Sequence, residues 1–172
     1  MTRSIIKNTA LGLVMFMAII IVLILVVPFF IPIRPLEGLV SAQQVASSES
    51  QFISIPFEGT DGIELHYLSD NLDENHTPTF VLLHGSLLNA YTWNNVMDFF
   101  AERGRVVAYD QIPYGLSEKL TEGDWSGANP YTATAAVEQL FSFLDALSLD
   151  NVVLVGNSYG ATLAIQAAAA QP

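Results

Sequence analysis

The most prominent feature of the hydrophobic pattern is a long uncharged run near the N-terminus. From Asn8 to Ile33, 26 consecutive positions carry no charged side chain and are dominated by Leu, Ile, Val, Phe, Met and Ala. About 20 apolar residues suffice to cross the hydrocarbon core of a bilayer. The run therefore predicts one transmembrane helix, with the lipid bilayer as its partner over residues 8–33. We expect Pro28 and Pro32 to end this helix near the outer interface.

Charges beside this run predict its orientation. Arg3, Lys7 and the free amino terminus precede it, whereas Arg34 follows it and is offset by Glu37. The positive-inside rule favours a cytoplasmic N-terminus and an extracytoplasmic soluble part.

A cleaved signal peptide is the alternative to a retained anchor, since residues 40–42 have small residues at the spacing that a signal peptidase accepts. However, signal cores usually have about 7 to 15 apolar residues, and this run is much longer. A buried core helix would also be apolar, although such helices seldom run this long without a charge.

The polarity pattern divides the rest of the chain into a spacer and a domain. Residues 35–51 are rich in Ser, Gln, Ala and Glu and have little apolar periodicity. We therefore predict an anchor at 1–34, a spacer at 35–51 and an α/β domain at 52–172.

Alternating strand and helix patterns define the predicted fold of the domain. Segments 52–56 and 63–68 flank a turn-forming sequence and predict an antiparallel hairpin. After a polar stretch with the sequon Asn75-His76-Thr77, continuous apolar runs predict strands covered on both faces at 79–83, 105–109 and 152–155. Helical spacing of apolar residues predicts helices around 93–100, 137–147 and 161–170. This alternation is typical of a mostly parallel sheet flanked by helices.

Composition narrows the function classes. The 172 residues allow one domain of ordinary size. Beyond Arg34 the chain carries all 17 carboxylates against three cations, a formal charge of −14, which argues against nucleic-acid binding. The absence of cysteine excludes thiolate nucleophiles and Cys-based zinc sites. We expect a small-molecule substrate, without a metal or a cofactor.

The candidate nucleophile is Ser158, within Gly156-Asn157-Ser158-Tyr159-Gly160. This Gly-x-Ser-x-Gly string lies between an apolar strand and an Ala-rich helix, the setting in which a serine is forced onto a sharp, strained turn. Gly156 and Gly160 have a steric reason there, because side chains would collide with the neighbouring strand and helix. The helix N-terminus adds a positive potential, and the Tyr159 N–H can donate to an oxyanion on a carbonyl bonded to Ser158.

A second oxyanion donor is expected from a loop after an earlier strand. His84-Gly85-Ser86 follows the 79–83 strand directly, and Gly85 lets the backbone turn so that the Ser86 N–H faces the same point. Leu87 is the alternative donor. We expect His84 to be a packed, hydrogen-bonded residue and not a general base.

With these motifs in view, residues 52–172 resemble the α/β-hydrolase superfamily. The resemblance rests on three segments in order: 81–85, the strand end 107–110 followed by 114–117, and 153–160. Members often show Asp-x-Pro-Gly-x-Gly at the second segment, whereas this chain has Tyr114 at a glycine position. The resemblance implies a serine-nucleophile branch, since dehalogenases and epoxide hydrolases of the superfamily use aspartate there. The Gly-Asn-Ser form is similar to that of esterases and of carbon-carbon bond hydrolases, so the bond cleaved stays open.

The resemblance also implies a missing part. In this superfamily the triad acid and histidine follow the serine, yet residues 159–172 contain neither. His66, His76 and His84 lie upstream, and Asp110 ends an earlier strand, where we expect it to cap the following loop. The first hypothesis is the N-terminal portion of a membrane-anchored serine hydrolase, cleaving an ester, a similar acyl bond or a C–C bond. The alternative is a catalytically inactive, anchored binding module.

Overall fold

The computed structural model describes residues 2–31, 38–72 and 77–171, in two compact units, Met1–Leu39 and Val40–Pro172. In the first unit, helix α1 spans Thr2–Val26 and a 3-10 turn follows at Val27–Phe30. Pro28 disfavours the α conformation at the residue before it, which accounts for this end of the helix. The stretch Gly12–Phe30 has a mean hydropathy of 3.3 and is long enough to cross a bilayer. Pro32 and Arg34 lie outside the described residues.

The described residues of the second unit form five strands and four α-helices. A short helix at Ala42–Val45 lies within the predicted spacer. Asn75 and His76 of the sequon lie outside the described residues. The strands are β1 (Gln51–Ile55), β2 (Ile63–Asp70), β3 (Thr79–Leu83), β4 (Arg105–Tyr109) and β5 (Val152–Gly156). The helices are α2 (Ala42–Val45), α3 (Asn94–Ala101, after a 3-10 turn at Ala90–Trp93), α4 (Ala133–Ala146) and α5 (Tyr159–Ala170).

The five strands form one mixed sheet in the order β1-β2-β4-β3-β5. The predicted antiparallel hairpin of β1 and β2 is confirmed. Where we expected a mostly parallel sheet, the sheet is mixed, because β2 also pairs antiparallel with β4, through Tyr67 opposite Tyr109. Only the β3–β4 and β3–β5 pairings are parallel. The hairpin thus extends the sheet on one side, and β5 forms the other edge.

Helices cover both faces of the sheet, so strand side chains are buried in alternation on opposite sides. Val81, Leu83, Val107 and Tyr109 face α4 and α5. Leu82, Val106 and Ala108 face α3 and the 3-10 turn before it. On the α4 side, Tyr109 stacks on Phe143 with ring centroids 4.5 Å apart. Burial on both faces explains why these strands are continuous apolar runs in the sequence.

Phe143 provides a test of this core. Phe143→Ala removes a fully buried ring and leaves a cavity, so we expect the free energy of unfolding to fall by about 3 to 5 kcal/mol. Phe99→Ala is the matched control, because the Phe99 side chain on α3 is 55% exposed; we expect a loss below about 1 kcal/mol. Chemical denaturation of the complete chain in detergent measures both. Equal losses would contradict the assignment of Phe143 to the core.

Candidate active site

Ser158 lies on the tight turn that joins β5 to α5. Its backbone angles are φ 52° and ψ −116°, in a region that residues with a side chain seldom adopt. Ser158 is exposed, and its hydroxyl makes no hydrogen bond to any residue that the structure describes. Such strain persists only where the surrounding packing enforces it, and it holds the hydroxyl out at the carboxyl end of the sheet.

Two glycines make this turn sterically feasible. A Cβ atom on Gly160 would lie 2.1 Å from the carbonyl oxygen of Leu83, so α5 meets the end of β3 backbone to backbone. A Cβ atom on Gly156 would lie 2.4 Å from the backbone of Gly160 and of Ala161. The steric reason inferred from the sequence therefore has a geometric counterpart. Any larger residue at either position would push the helix away from the sheet.

The loop after β3 lies against this turn. A Cβ atom on the buried Gly85 would be 3.2 Å from the Cβ atom of Ser158, which brings Ser86 next to the serine. Within the described part of the chain, neither the Ser86 N–H nor the Tyr159 N–H has a hydrogen-bond acceptor. Leu87 has φ 63°, a second left-handed residue beside the serine. Two unpaired amides next to an exposed hydroxyl are the elements of an oxyanion hole.

A groove of about 700 Å³ adjoins both candidate donors. Its lining combines aromatic rings with aliphatic side chains and one cation, the last supplied by Lys119. Burial raises the pKa of the Tyr159 phenol, and the neighbouring Tyr114 adds to this rise. The phenol is therefore neutral at physiological pH. Besides Ser86 and Tyr159, the groove is lined by Ile112, Pro113, Tyr114, Lys119, Leu120 and Tyr131.

Both ring nitrogens of His84 are engaged away from Ser158. Nδ1 lies 2.8 Å from the carbonyl oxygen of Gly85, and Nε2 accepts a hydrogen bond from the Gln111 N–H at 3.0 Å. Burial lowers the pKa of His84, outweighing the opposite effects of the Gly85 hydrogen bond and of the Asp110 charge. A neutral ring can accept from Gln111, as the geometry requires. The ring therefore anchors the loop and has no nitrogen free to take the serine proton.

A hydrogen-bond network that the sequence does not reveal connects β2 with the end of β4, on the side of β3 away from β5. His66 Nδ1 is 2.8 Å from Asp110 Oδ2, and His66 Nε2 is 2.8 Å from the hydroxyl of Ser50. Ser50 in turn contacts the Tyr91 hydroxyl at 2.6 Å. Asp110 also accepts from the backbone of the following loop, as expected for a capping residue. Since both nitrogens of His66 are occupied, this histidine is not available to Ser158 either.

The model of the alpha/beta hydrolase fold family matches residues 78–172, more than half of the chain. The chain therefore belongs to the α/β-hydrolase family. Among curated proteins it is 34% identical to an epoxide hydrolase of Caballeronia sordidicola, over 66% of this chain and 32% of that protein. It is 37% identical to a haloalkane dehalogenase of Mesorhizobium japonicum, over 55% of this chain and 28% of that protein. The chain thus spans about a third of the length of these relatives.

Solved structures agree with this assignment. An epoxide hydrolase from metagenomes of hot environments matches with a TM-score of 0.59 and 26% identity, over 72% of this chain and 38% of its own. A haloalkane dehalogenase from Agrobacterium tumefaciens matches with a TM-score of 0.55 and 26% identity, over 73% of this chain and 38% of its own.

Gly160 tests the packing that holds the site. Gly160→Ala raises helix propensity by about 1 kcal/mol, but its Cβ overlaps the Leu83 carbonyl, so we expect a net loss of about 1 to 3 kcal/mol in unfolding free energy. Gln166→Ala, exposed on the same helix, should change stability by less than about 0.5 kcal/mol. Chemical denaturation compares the two. A Gly160→Ala variant as stable as the parent would mean that α5 does not touch β3 there.

Proposed function

We propose that Ser158 is the nucleophile of a membrane-anchored hydrolase that cleaves an ester, a similar acyl bond or a C–C bond beside a carbonyl. The observation that carries this proposal is the strained backbone of Ser158 at an exposed turn, beside the Ser86 and Tyr159 amides, which have no acceptor among the residues that the structure describes. A hydroxyl held in this way can attack a carbonyl carbon while the two amides receive the developing oxyanion. The groove beside them would hold the acyl portion or the leaving group of a small molecule.

A serine nucleophile favours acyl transfer over epoxide opening and halide displacement, the reactions after which the relatives are named. A serine oxygen that opened an epoxide or displaced a halide would be left as an alkyl ether, which water does not cleave under mild conditions. A serine oxygen that attacks a carbonyl is left as an ester, which water hydrolyses to restore the enzyme. We therefore assign the carbonyl route to this chain.

The catalytic base is part of the proposal. A serine hydroxyl needs an imidazole within about 2.6 to 3.2 Å to become a strong nucleophile. Both histidines that the structure describes, His66 and His84, have their ring nitrogens engaged, His76 lies outside the described residues, and residues 159–172 contain no histidine or acidic side chain. We propose that the triad acid and histidine are supplied from outside these 172 residues, and that the chain alone is inactive. An inactive binding module is the second candidate, favoured by the same saturated histidines.

A fluorophosphonate probe tests the nucleophile. Attack of Ser158 Oγ on phosphorus forms the O–P bond and expels fluoride, so mass spectrometry should find the label on Ser158 of the complete gene product. Ser158→Ala should abolish labelling, whereas Ser142→Ala on α4 should leave it unchanged. The 172-residue chain should be nearly unlabelled, since the oxyanion donors alone leave only about 10³ to 10⁴ of rate enhancement in serine proteases. A folded complete product that is not labelled would support the binding module.

Membrane anchoring has its own test. We propose that α1 is a retained anchor with a cytoplasmic N-terminus, because the apolar run is long and Arg3 and Lys7 precede it. The protein should fractionate with membranes, and protease added outside intact cells should remove the region beyond Pro35. Replacing Arg3 and Lys7 by Asn should reduce this protease-sensitive fraction. A soluble product that begins at Gln43 would instead establish a cleaved signal peptide.

A further inference from the structure

The loop that carries the Ser86 amide is fastened at both of its ends by two consecutive residues, Asp110 and Gln111. At the start of the loop, Gln111 donates its N–H to His84 Nε2 at 3.0 Å and its side-chain amide to the His84 carbonyl at 2.9 Å. At the end of the loop, the Ala90 N–H donates to Asp110 Oδ1 at 2.6 Å. The intervening residues are held by few contacts of their own, and Leu87 is strained. The position of Ser86 therefore depends on these two fastenings.

The Asp110 carboxylate is itself held by a closed chain of hydrogen bonds. Its Oδ2 accepts from the Leu116 N–H at 2.6 Å and contacts His66 Nδ1 at 2.8 Å. From His66 Nε2 the chain continues to the hydroxyl of Ser50 and then to that of Tyr91. Tyr91 is the next residue after Ala90, so the network returns to the loop that Asp110 fastens. His66 and Asp110 are both fully buried, so the bond between them is shielded from competing water.

Close packing leaves the carboxylate no alternative place. A Cβ atom on Gly115 would lie on the Asp110 carboxylate, because the loop after β4 wraps around it with φ 53° at this glycine. A buried carboxylate that lost one donor would be left partly uncompensated, and the loops around it would shift to restore contact.

We propose that Asp110 and His66 are positioning residues for the oxyanion donor of Ser86, with Ser50 and Tyr91 as the outer part of the same network. This inference rests on the proposed function of Ser158. Neither residue touches the substrate. Their effect reaches the reaction through the Ala90 amide and the short loop between Gly85 and Ala90. Displacement of a catalytic donor by about 1 Å can cost roughly 10²-fold in rate.

A pair of variants at His66 separates positioning from folding. His66→Leu removes both hydrogen bonds, whereas His66→Asn restores an amide donor to Asp110 at the position of Nδ1. In the complete gene product we expect His66→Leu to lower the maximal labelling rate of Ser158 by about 10- to 10²-fold, without a comparable change in the apparent probe affinity. His66→Asn should recover most of this loss. Tyr91→Phe removes only the outer hydroxyl and should lower the labelling rate of Ser158 a few-fold. This variant keeps the test decisive if His66→Leu does not fold.

A matched control at Ser69 tests whether the effect on labelling is specific to the network. Ser69→Ala on β2 removes a side-chain hydrogen bond from Gln51 that is as short as the Ser50–Tyr91 bond, 2.6 Å, and lies outside the network. It should leave labelling unchanged.

The ¹H-¹⁵N amide resonances of Ser86 and Ala90, recorded in detergent micelles, should shift in His66→Leu and return in His66→Asn. A variant with a lower Tm but unchanged labelling and an unchanged Ser86 resonance would overturn the proposal. If the parent protein is not labelled at Ser158, the proposed function fails, and the Ser86 resonance alone decides the positioning role.

Discussion

The backbone contact between the first turn of α5 and the end of β3 is the constraint on which the site depends. Gly160 allows the helix to approach the Leu83 carbonyl to a distance that excludes any side chain. The chain at Ser158 has a positive φ beside this contact, and the serine lies against Gly85, so the proposed nucleophile and the loop that carries the proposed oxyanion donor are neighbours. The parallel pairing of β3 with β5, Leu83 opposite Gly156, sets the register in which this happens. The same register brings the end of β3, and with it the loop that carries the Ser86 amide, beside the turn that carries the Tyr159 amide.

The local parts of this arrangement could be predicted from the sequence because each has a local signature. The strands at 79–83 and 105–109 have the expected bounds, since burial on both faces produces uninterrupted apolar runs. The turn at Ser158 was predicted because the two glycines around it, Gly156 and Gly160, indicate positions where a side chain would collide with the neighbouring backbone. The pairing of β2 with β4 was not predictable in the same way, because an antiparallel neighbour and a parallel neighbour leave the same pattern in a buried strand. The alternation of strands and helices indicates parallel order, and nothing in it reveals that the sheet is mixed.

The buried polar network was missed for a related reason. His66 and Asp110 are 44 positions apart, and Ser50 belongs to a segment that reads as a spacer. No spacing rule connects three residues on separate elements, and a histidine within an apolar strand has the same appearance whether it is packed or paired. The signal available in the sequence was a polar residue within a strand that is expected to be buried. Such a residue needs hydrogen-bond partners, which here are a carboxylate and a hydroxyl. His84 carries the same signal, and its partners are the two backbone groups that anchor the loop after β3.

Family membership fixes the geometry of this site more firmly than its reaction. The turn is held by Gly156, by Gly160 and by the sheet register, and none of these contacts involves the side chain at position 158. A nucleophile can therefore be exchanged at that position without disturbing the backbone that presents it. Likeness to an epoxide hydrolase and to a haloalkane dehalogenase therefore bears on the fold that presents this turn, while the side chain at position 158 decides which bonds can be formed and broken again. A serine oxygen gives a covalent link that water can cleave with acyl-type or phosphoryl-type centres, so the reaction that we propose for this chain rests on one residue, whereas the geometry of the turn rests on the two glycines around it.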